Sequence, residues 1–138
     1  MINTIDMQDM RHLNLFNQIS RVRTRFCFKY NNTLIFCVPH LMLQKAIGEN
    51  GRNVKKIKDI LKINVKIIPS PRGVQDARRF IESVVNPVRF NEMEISGDEM
   101  IINAGKQNKA SLIGRDRRRF FELQKVVSGF FEKDLKII

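Results

Sequence analysis

The stretch "AIGENGRNVKKIKDIL", residues 46–61, contains two glycines three positions apart, directly followed by a basic, amphipathic run. On a helical wheel the apolar residues of that run form one arc: Val54, Ile57, Ile60 and Leu61. The opposite arc carries the basic residues Arg52, Lys55, Lys56, Lys58 and Lys62. The stretch therefore predicts a short helix ending near Gly48, a tight loop, and a second helix that packs one face on a core.

An internal repeat relates the two halves of the chain at a shift of 66 residues. The segment "IGENGRNVKKIKDIL" (47–61) aligns with "IGRDRRRFFELQKVV" (113–127), so that Gly48 falls on Gly114 and Arg52 on Arg118. The four apolar positions are apolar again in the second copy, as Phe120, Leu123, Val126 and Val127. Two copies of one module of about 65–70 residues are the simplest explanation.

Both copies predict the same order of elements: helix, strand, strand, helix, helix, strand. In the first copy, a helix over 7–20 precedes two strands joined at Asn31-Asn32, and "INVKIIP" forms the last strand. The second copy begins after "PSPRG" (69–73), whose prolines and glycine suit a linker, and its two strands join at Gly97-Asp98. We predict an α+β fold of two modules packed side by side, with domains at residues 1–69 and 70–138.

The charge of the chain indicates a polyanionic partner. The net charge is +11 and the isoelectric point about 10.2, which favours nucleic acid, an anionic membrane surface or an acidic protein. Residues 1–70 hold 12 basic and 4 acidic side chains, whereas residues 71–138 hold 13 and 10. If a polyanion binds mainly to one half, the first half is therefore favoured.

Several classes of protein are not expected from this sequence. It has no P-loop, no G-x-S-x-G and no metal-ligand spacing, and His12 and His40 have no cysteine or acidic cluster nearby. We expect no enzyme, no metal, no other cofactor and no small-molecule substrate. The segment "MINTIDMQDMRHL" lacks the apolar core of a signal peptide, and no apolar run approaches the roughly 18–20 residues of a membrane span. We expect a cytoplasmic protein without membrane contact.

The two cysteines, Cys27 and Cys37, lie in strand-like runs on either side of the predicted turn. Two cysteines are too few for a disulfide framework, and the first interpretation is that both are buried free thiols. If the runs form a hairpin, the two residues could face each other across it, which leaves a disulfide open.

The glycine pair has a specific use if a nucleic-acid backbone lies against the loop. A Cβ atom at these positions would block the approach or the turn. The start of the following helix attracts anions through its free N–H groups and its dipole. This is the arrangement of the G-x-x-G loop that holds about four nucleotides in KH domains. Two alternatives stay open: a plain helix-to-helix turn, and a basic arc that is only a solvated face.

On these residues and this element order, the chain resembles the type II KH fold. Its tandem arrangement resembles the small archaeal NusA-like transcription factors over nearly the whole length. The resemblance implies binding of single-stranded RNA, a role in transcription termination or antitermination, and contact with RNA polymerase. The RNA-contacting residues that it implies are Gly48, Glu49, Asn50, Gly51, Arg52, Lys55 and Lys56 in the first copy, and Gly114, Arg115, Arg117 and Arg118 in the second.

The second loop, "GRDR" (114–117), departs from the family pattern because Arg117 replaces the second glycine. Close approach of a backbone is in doubt there. Its arginines would instead grip phosphate through their side chains, or the second module is degenerate and kept for packing. The first loop departs in a milder way, because Glu49 places an acid where phosphate is expected.

Two other functions compete with this interpretation. The chain would be an adaptor whose KH folds contact RNA polymerase or another protein with little RNA binding, which the altered second loop favours. It would otherwise be a ribosome-bound or RNA-processing KH protein, because a fold does not select a pathway. Phe121 bears on this choice, since it occupies the position of Lys55, off the apolar arc of its helix. An exposed ring there predicts either packing between the modules or a protein partner.

Overall fold

The computed structural model describes residues 7–138, which divide into two compact units. The first unit ends at Ser70 and the second begins at Pro71. The predicted α+β fold, with the order helix, strand, strand, helix, helix, strand in each unit, is confirmed. The start of the first predicted domain and part of the segment compared with signal peptides lie outside the described residues.

The first unit is a three-stranded sheet with three helices. Its elements are α1 (Met7–Ser20), β1 (Phe26–Tyr30), β2 (Thr33–Val38), α2 (Leu43–Ile47), α3 (Arg52–Leu61) and β3 (Asn64–Pro69). Strand β2 is central, antiparallel to β1 and parallel to β3. The β1–β2 turn places Asn31 and Asn32 at φ 51° and 58°, and asparagine tolerates this left-handed region better than most residues.

The core of the first unit lies between this sheet and the helices. Phe16 of α1 stacks on Phe36 of β2 with ring centroids 4.5 Å apart, and Ile57 of α3 is buried in the same cluster. Val54 and Leu61 also pack against that cluster, as the apolar arc predicted. The prediction was wrong for Ile60, which is 52% exposed, because it lies at the edge of the arc beside the basic face.

The second unit repeats the topology of the first. Its elements are α4 (Ala77–Val85), β4 (Glu92–Ser96), β5 (Glu99–Asn103), α5 (Gly105–Ile113), α6 (Arg118–Phe131) and β6 (Asp134–Ile137). Strand β5 is central, antiparallel to β4 and parallel to β6. Helix α6 has 14 residues where α3 has 10, so the extra length of the second copy lies in this helix.

Both cysteines are buried and neither forms a disulfide, and the strand register explains why. Cys27 pairs with Phe36, whereas Cys37 pairs with Phe26. Paired residues share a face of the sheet and neighbours in one strand alternate, so the two thiols point to opposite faces. The hairpin therefore does not allow the disulfide that the sequence left open. Burial and the nearby Cys27 raise the pKa of the Cys37 thiol far above its ordinary value, which keeps it protonated and unreactive.

Candidate nucleic-acid interface

The loop Gly48–Gly51 joins α2 to α3 in a conformation that depends on positive φ angles. Gly48 has φ 82° and ψ 164°, Asn50 has φ 55° and ψ 29°, and Gly51 has φ 72° and ψ 21°. The N–H of Gly48 donates to the Gln44 carbonyl at 3.0 Å, and the N–H of Gly51 donates to the Gly48 carbonyl at 3.1 Å. Three of the four loop residues thus occupy a region that only glycine adopts without strain and that asparagine tolerates.

The two glycines serve different needs. A Cβ on Gly48 would lie 3.0 Å from the side chain of Asn53 and 3.1 Å from its backbone nitrogen, so the packing of the loop against α3 requires a glycine. A Cβ on Gly51 would meet no described atom within 4 Å. The space beside Gly51 is therefore open, and steric crowding within the described chain does not account for the glycine there.

The loop Gly114–Arg117 of the second unit has the same backbone shape as the first. Gly114 has φ 75° and ψ 173°, Asp116 has φ 55° and ψ 27°, and Arg117 has φ 60° and ψ 23°. The N–H of Gly114 donates to the Ala110 carbonyl at 2.9 Å, and the N–H of Arg117 donates to the Gly114 carbonyl at 3.2 Å. Replacement of the second glycine therefore leaves the backbone unchanged and places a long cationic side chain where the first loop is bare.

Each loop is braced by a side chain that the sequence analysis missed. The amide of Asn53 donates to the carbonyls of Lys45 and Ala46 at 3.2 and 3.1 Å. The guanidinium of Arg119 donates to the carbonyl of Ser111 at 3.1 Å. The two braces are equivalent under the 66-residue shift, and both tie the start of one helix to the end of the preceding helix. Only their equivalent position could have indicated this role, because the residue types differ.

The cations predicted around the first loop lie together at the start of α3. Arg52, Lys55 and Lys56 are exposed, and within residues 7–138 none of them forms an ion pair. Gly51 is the N-cap residue of α3 and supplies no side-chain cap. The N–H groups of Gly51 and Arg52 donate to the carbonyls of Gly48 and Glu49 within the loop, and the positive end of the helix dipole lies at this point. The exposed loop residues Glu49 and Asn50 complete the predicted set. All seven predicted residues of the first unit are thus gathered at one loop and helix start.

The second loop combines cations with aromatic rings. Arg115, Arg117 and Arg118 are exposed, and the guanidinium carbon of Arg117 lies 4.8 Å from the ring centroid of Phe120 and 5.5 Å from that of Phe121. The two rings meet edge to face, with centroids 5.7 Å apart. Phe121 is 55% exposed, which confirms that this ring lies off the apolar face of α6. With Gly114, the four predicted residues of the second unit are again gathered at one loop and helix start.

The residues that the structure describes include neither a metal-ion cluster nor a membrane-spanning helix. Among residues 7–138, no group of three or more His, Cys, Asp or Glu is placed to hold a metal ion. In the same range, no helix combines the length and the apolar character that crossing a membrane requires. The two loops, each with the helix start behind it, are the candidate sites of their units.

Comparisons with known proteins agree with this architecture. No family model matches the chain. It is similar to the "Probable transcription termination protein NusA" of Thermoplasma acidophilum, with 20% identity over 132 residues that cover 93% of this chain and 90% of that protein. It also superimposes on the crystal structure of APE1850 with a TM-score of 0.65 and 22% identity, covering 97% of this chain and all of that chain. At this identity the structural likeness supports the fold alone.

Proposed function

We propose that this protein binds single-stranded RNA through two type II KH modules and acts in transcription termination or antitermination. The observation that carries the proposal is the open space beside Gly51, at the uncapped start of a basic helix. A phosphate that lies there meets the positive end of the helix dipole and the cations Arg52, Lys55 and Lys56. The proposed contact residues are those predicted from the sequence.

The similarity to the Thermoplasma protein supports the transcriptional part of the proposal, because that protein is named for transcription termination and is matched along most of both chains. We propose RNA polymerase as the protein partner, because a protein with this role acts on transcription. The role is one of binding and not of catalysis, it needs no cofactor, and its proposed location is the cytoplasm, where transcription takes place.

The proposal is tested by RNA binding of the Gly51→Asp variant, with Gly97→Asp as a matched control. Both glycines have positive φ, 72° and 60°, and at neither would an added Cβ have a described atom within 4 Å. The two substitutions therefore introduce the same charge and similar backbone strain, but only one lies at the proposed site. A carboxylate near a phosphate costs about 1–4 kcal/mol, depending on the local dielectric. We expect Gly51→Asp to bind a single-stranded oligonucleotide at least about fivefold more weakly than the control.

The measurement is fluorescence anisotropy with a labelled single-stranded RNA, after circular dichroism has established that both variants are folded. Equal affinities of the two variants would contradict binding at this loop. If neither variant nor the unmodified protein binds RNA, the adaptor function is favoured instead.

A further inference from the structure

We propose that the second unit holds RNA by stacking an unpaired base on the ring of Phe121, beside the arginines of the loop Gly114–Arg117. This inference rests on the proposed RNA binding and deepens it. It assigns the second loop a different way of binding, through side chains, where the first loop offers bare backbone.

The exposure of Phe121 is the first step of the argument. The equivalent position in the first unit is Lys55, a residue that suits a solvated helix face. Phe121 is more than half exposed, although its neighbours Leu123 and Val127 supply the buried face of α6. The ring is therefore accessible to solvent, and exposed aromatic side chains can stack with unpaired bases of any sequence.

The position of Arg117 is the second step. Arg117 has a left-handed backbone conformation that residues other than glycine and asparagine rarely adopt. The second loop nevertheless has this conformation at the position where the first loop has a glycine. Its guanidinium lies within 6 Å of the centroids of both rings. A nucleotide stacked on Phe121 would thus have its phosphate within reach of Arg117, and Arg115 and Arg118 are exposed on the same loop and helix start.

A shallow recess beside the ring gives the third step. It measures about 300 Å³ and is lined by Asp116, Arg118, Phe121, Glu122 and Lys125. The lining holds two carboxylates and two cations, so the backbone of the RNA is expected beside Arg115 and Arg117, which do not line the recess, and the base on the recess side. Carboxylate oxygens accept hydrogen bonds from exocyclic amino groups, which cytosine has and uracil lacks. The recess therefore favours cytosine over uracil.

The charge of this segment favours RNA over a protein as the occupant. Between Gly114 and Lys125 the chain has five basic and two acidic residues. A polyanion with flat, unpaired bases matches both the charge and the exposed ring. A protein partner is the alternative outcome of the test.

The experiment uses the full chain with Gly51→Asp as background, so that the remaining affinity reports on the second unit. Phe121→Leu keeps an apolar side chain but removes the ring, and it is expected to weaken binding of an oligocytidine by about 5- to 150-fold, the range for loss of one stacked base. Phe121→Trp is expected to retain binding. Because the chain has no tryptophan, this variant carries a single tryptophan, whose fluorescence a stacked base quenches. Val74→Trp, at a residue that is 51% exposed in the same unit, is the control and is expected to show no quenching.

The outcomes separate this inference from the proposed function. If Phe121→Leu binds as tightly as its background and the tryptophan at 121 is not quenched, stacking at Phe121 is refuted, and the ring is left as a surface for a protein. If Gly51→Asp does not affect binding in the wild-type background but Phe121→Leu does, the first loop fails and the second stands. Equal affinity for oligocytidine and oligouridine would overturn the role given to the recess.

Discussion

The different needs of the two glycines in the first loop predict different costs when each is changed to alanine. Gly48 has φ 82° and ψ 164°, a region that is essentially restricted to glycine, and its new Cβ would meet Asn53 at 3.0 Å. Gly51 lies in the ordinary left-handed region, and its Cβ would extend into open space. We therefore expect Gly48→Ala to lower the free energy of unfolding much more than Gly51→Ala.

The magnitudes follow from strain and lost hydrogen bonds. Backbone strain at position 48 costs about 1–3 kcal/mol. The new Cβ would also displace the amide of Asn53 and weaken its two hydrogen bonds, each of which contributes about 0.5–1.5 kcal/mol net. For Gly51→Ala only a left-handed cost of about 1–2 kcal/mol arises, and in both variants about 0.4–1 kcal/mol from the less flexible unfolded chain offsets part of the loss. We expect about 2–4 kcal/mol for the first variant and about 0.5–1 kcal/mol for the second.

The assay is urea unfolding followed by far-ultraviolet circular dichroism, because the chain has no tryptophan. With a denaturant slope of about 2 kcal/mol per molar, a difference of about 1–3.5 kcal/mol should separate the two midpoints by roughly 0.5–1.8 M. Gly114→Ala provides an independent repeat in the second unit, because its Cβ would lie 3.0 Å from Arg119. Equal destabilisation by Gly48→Ala and Gly51→Ala would refute the division of roles between the glycines.

Three further predictions concern the brace, the salt dependence and the sheet. Asn53→Ala should lower the free energy of unfolding by about 1–2 kcal/mol in the same urea assay, whereas Asn14→Ala, exposed on α1, should have almost no effect. If the first loop contacts about four phosphates, the slope of log affinity against log salt should be close to about −3, and a slope near zero in a salt titration would exclude phosphate contacts. Burial lowers the pKa of Lys66 in the folded chain below its ordinary 10.5. At pH values between this lowered pKa and 10.5, the unfolded chain binds more protons than the folded chain, so the free energy of unfolding should rise with pH. Lys66→Met should remove that rise, as thermal unfolding at several pH values would measure.

The sequence predicted the element order because the apolar positions of 47–61 recur at one shift in 113–127, and both halves show the same strand and turn patterns. The sequence did not predict the strand register. Whether Cys27 and Cys37 face each other depends on which residues pair, and an offset of one residue in the pairing puts the two side chains on opposite faces of the sheet. The exposure of Ile60 was missed for a related reason, because a helical wheel gives the direction of a side chain but not where the core ends.

The second loop shows another limit of reasoning from residue type. Arg117 in place of a glycine suggested a changed loop, yet the backbone angles of the two loops agree within 12° at every residue compared. The shape is kept because Gly114 packs against Arg119, and the hydrogen bond from Arg119 to the carbonyl of Ser111 ties α6 to α5. The braces use an amide in one unit and a guanidinium in the other, so no pattern of residue types could have identified them.

The first and the last position of the loop have different structural roles. The first glycine and the brace set the backbone, and the second position is left free to vary because its side chain extends away from the packed atoms. A glycine there leaves room for a sugar–phosphate strand against the main chain, and an arginine fills that room and supplies a cation beside two aromatic rings. Under the proposed function, one backbone shape would support two ways of holding RNA, selected by the residue at that single position.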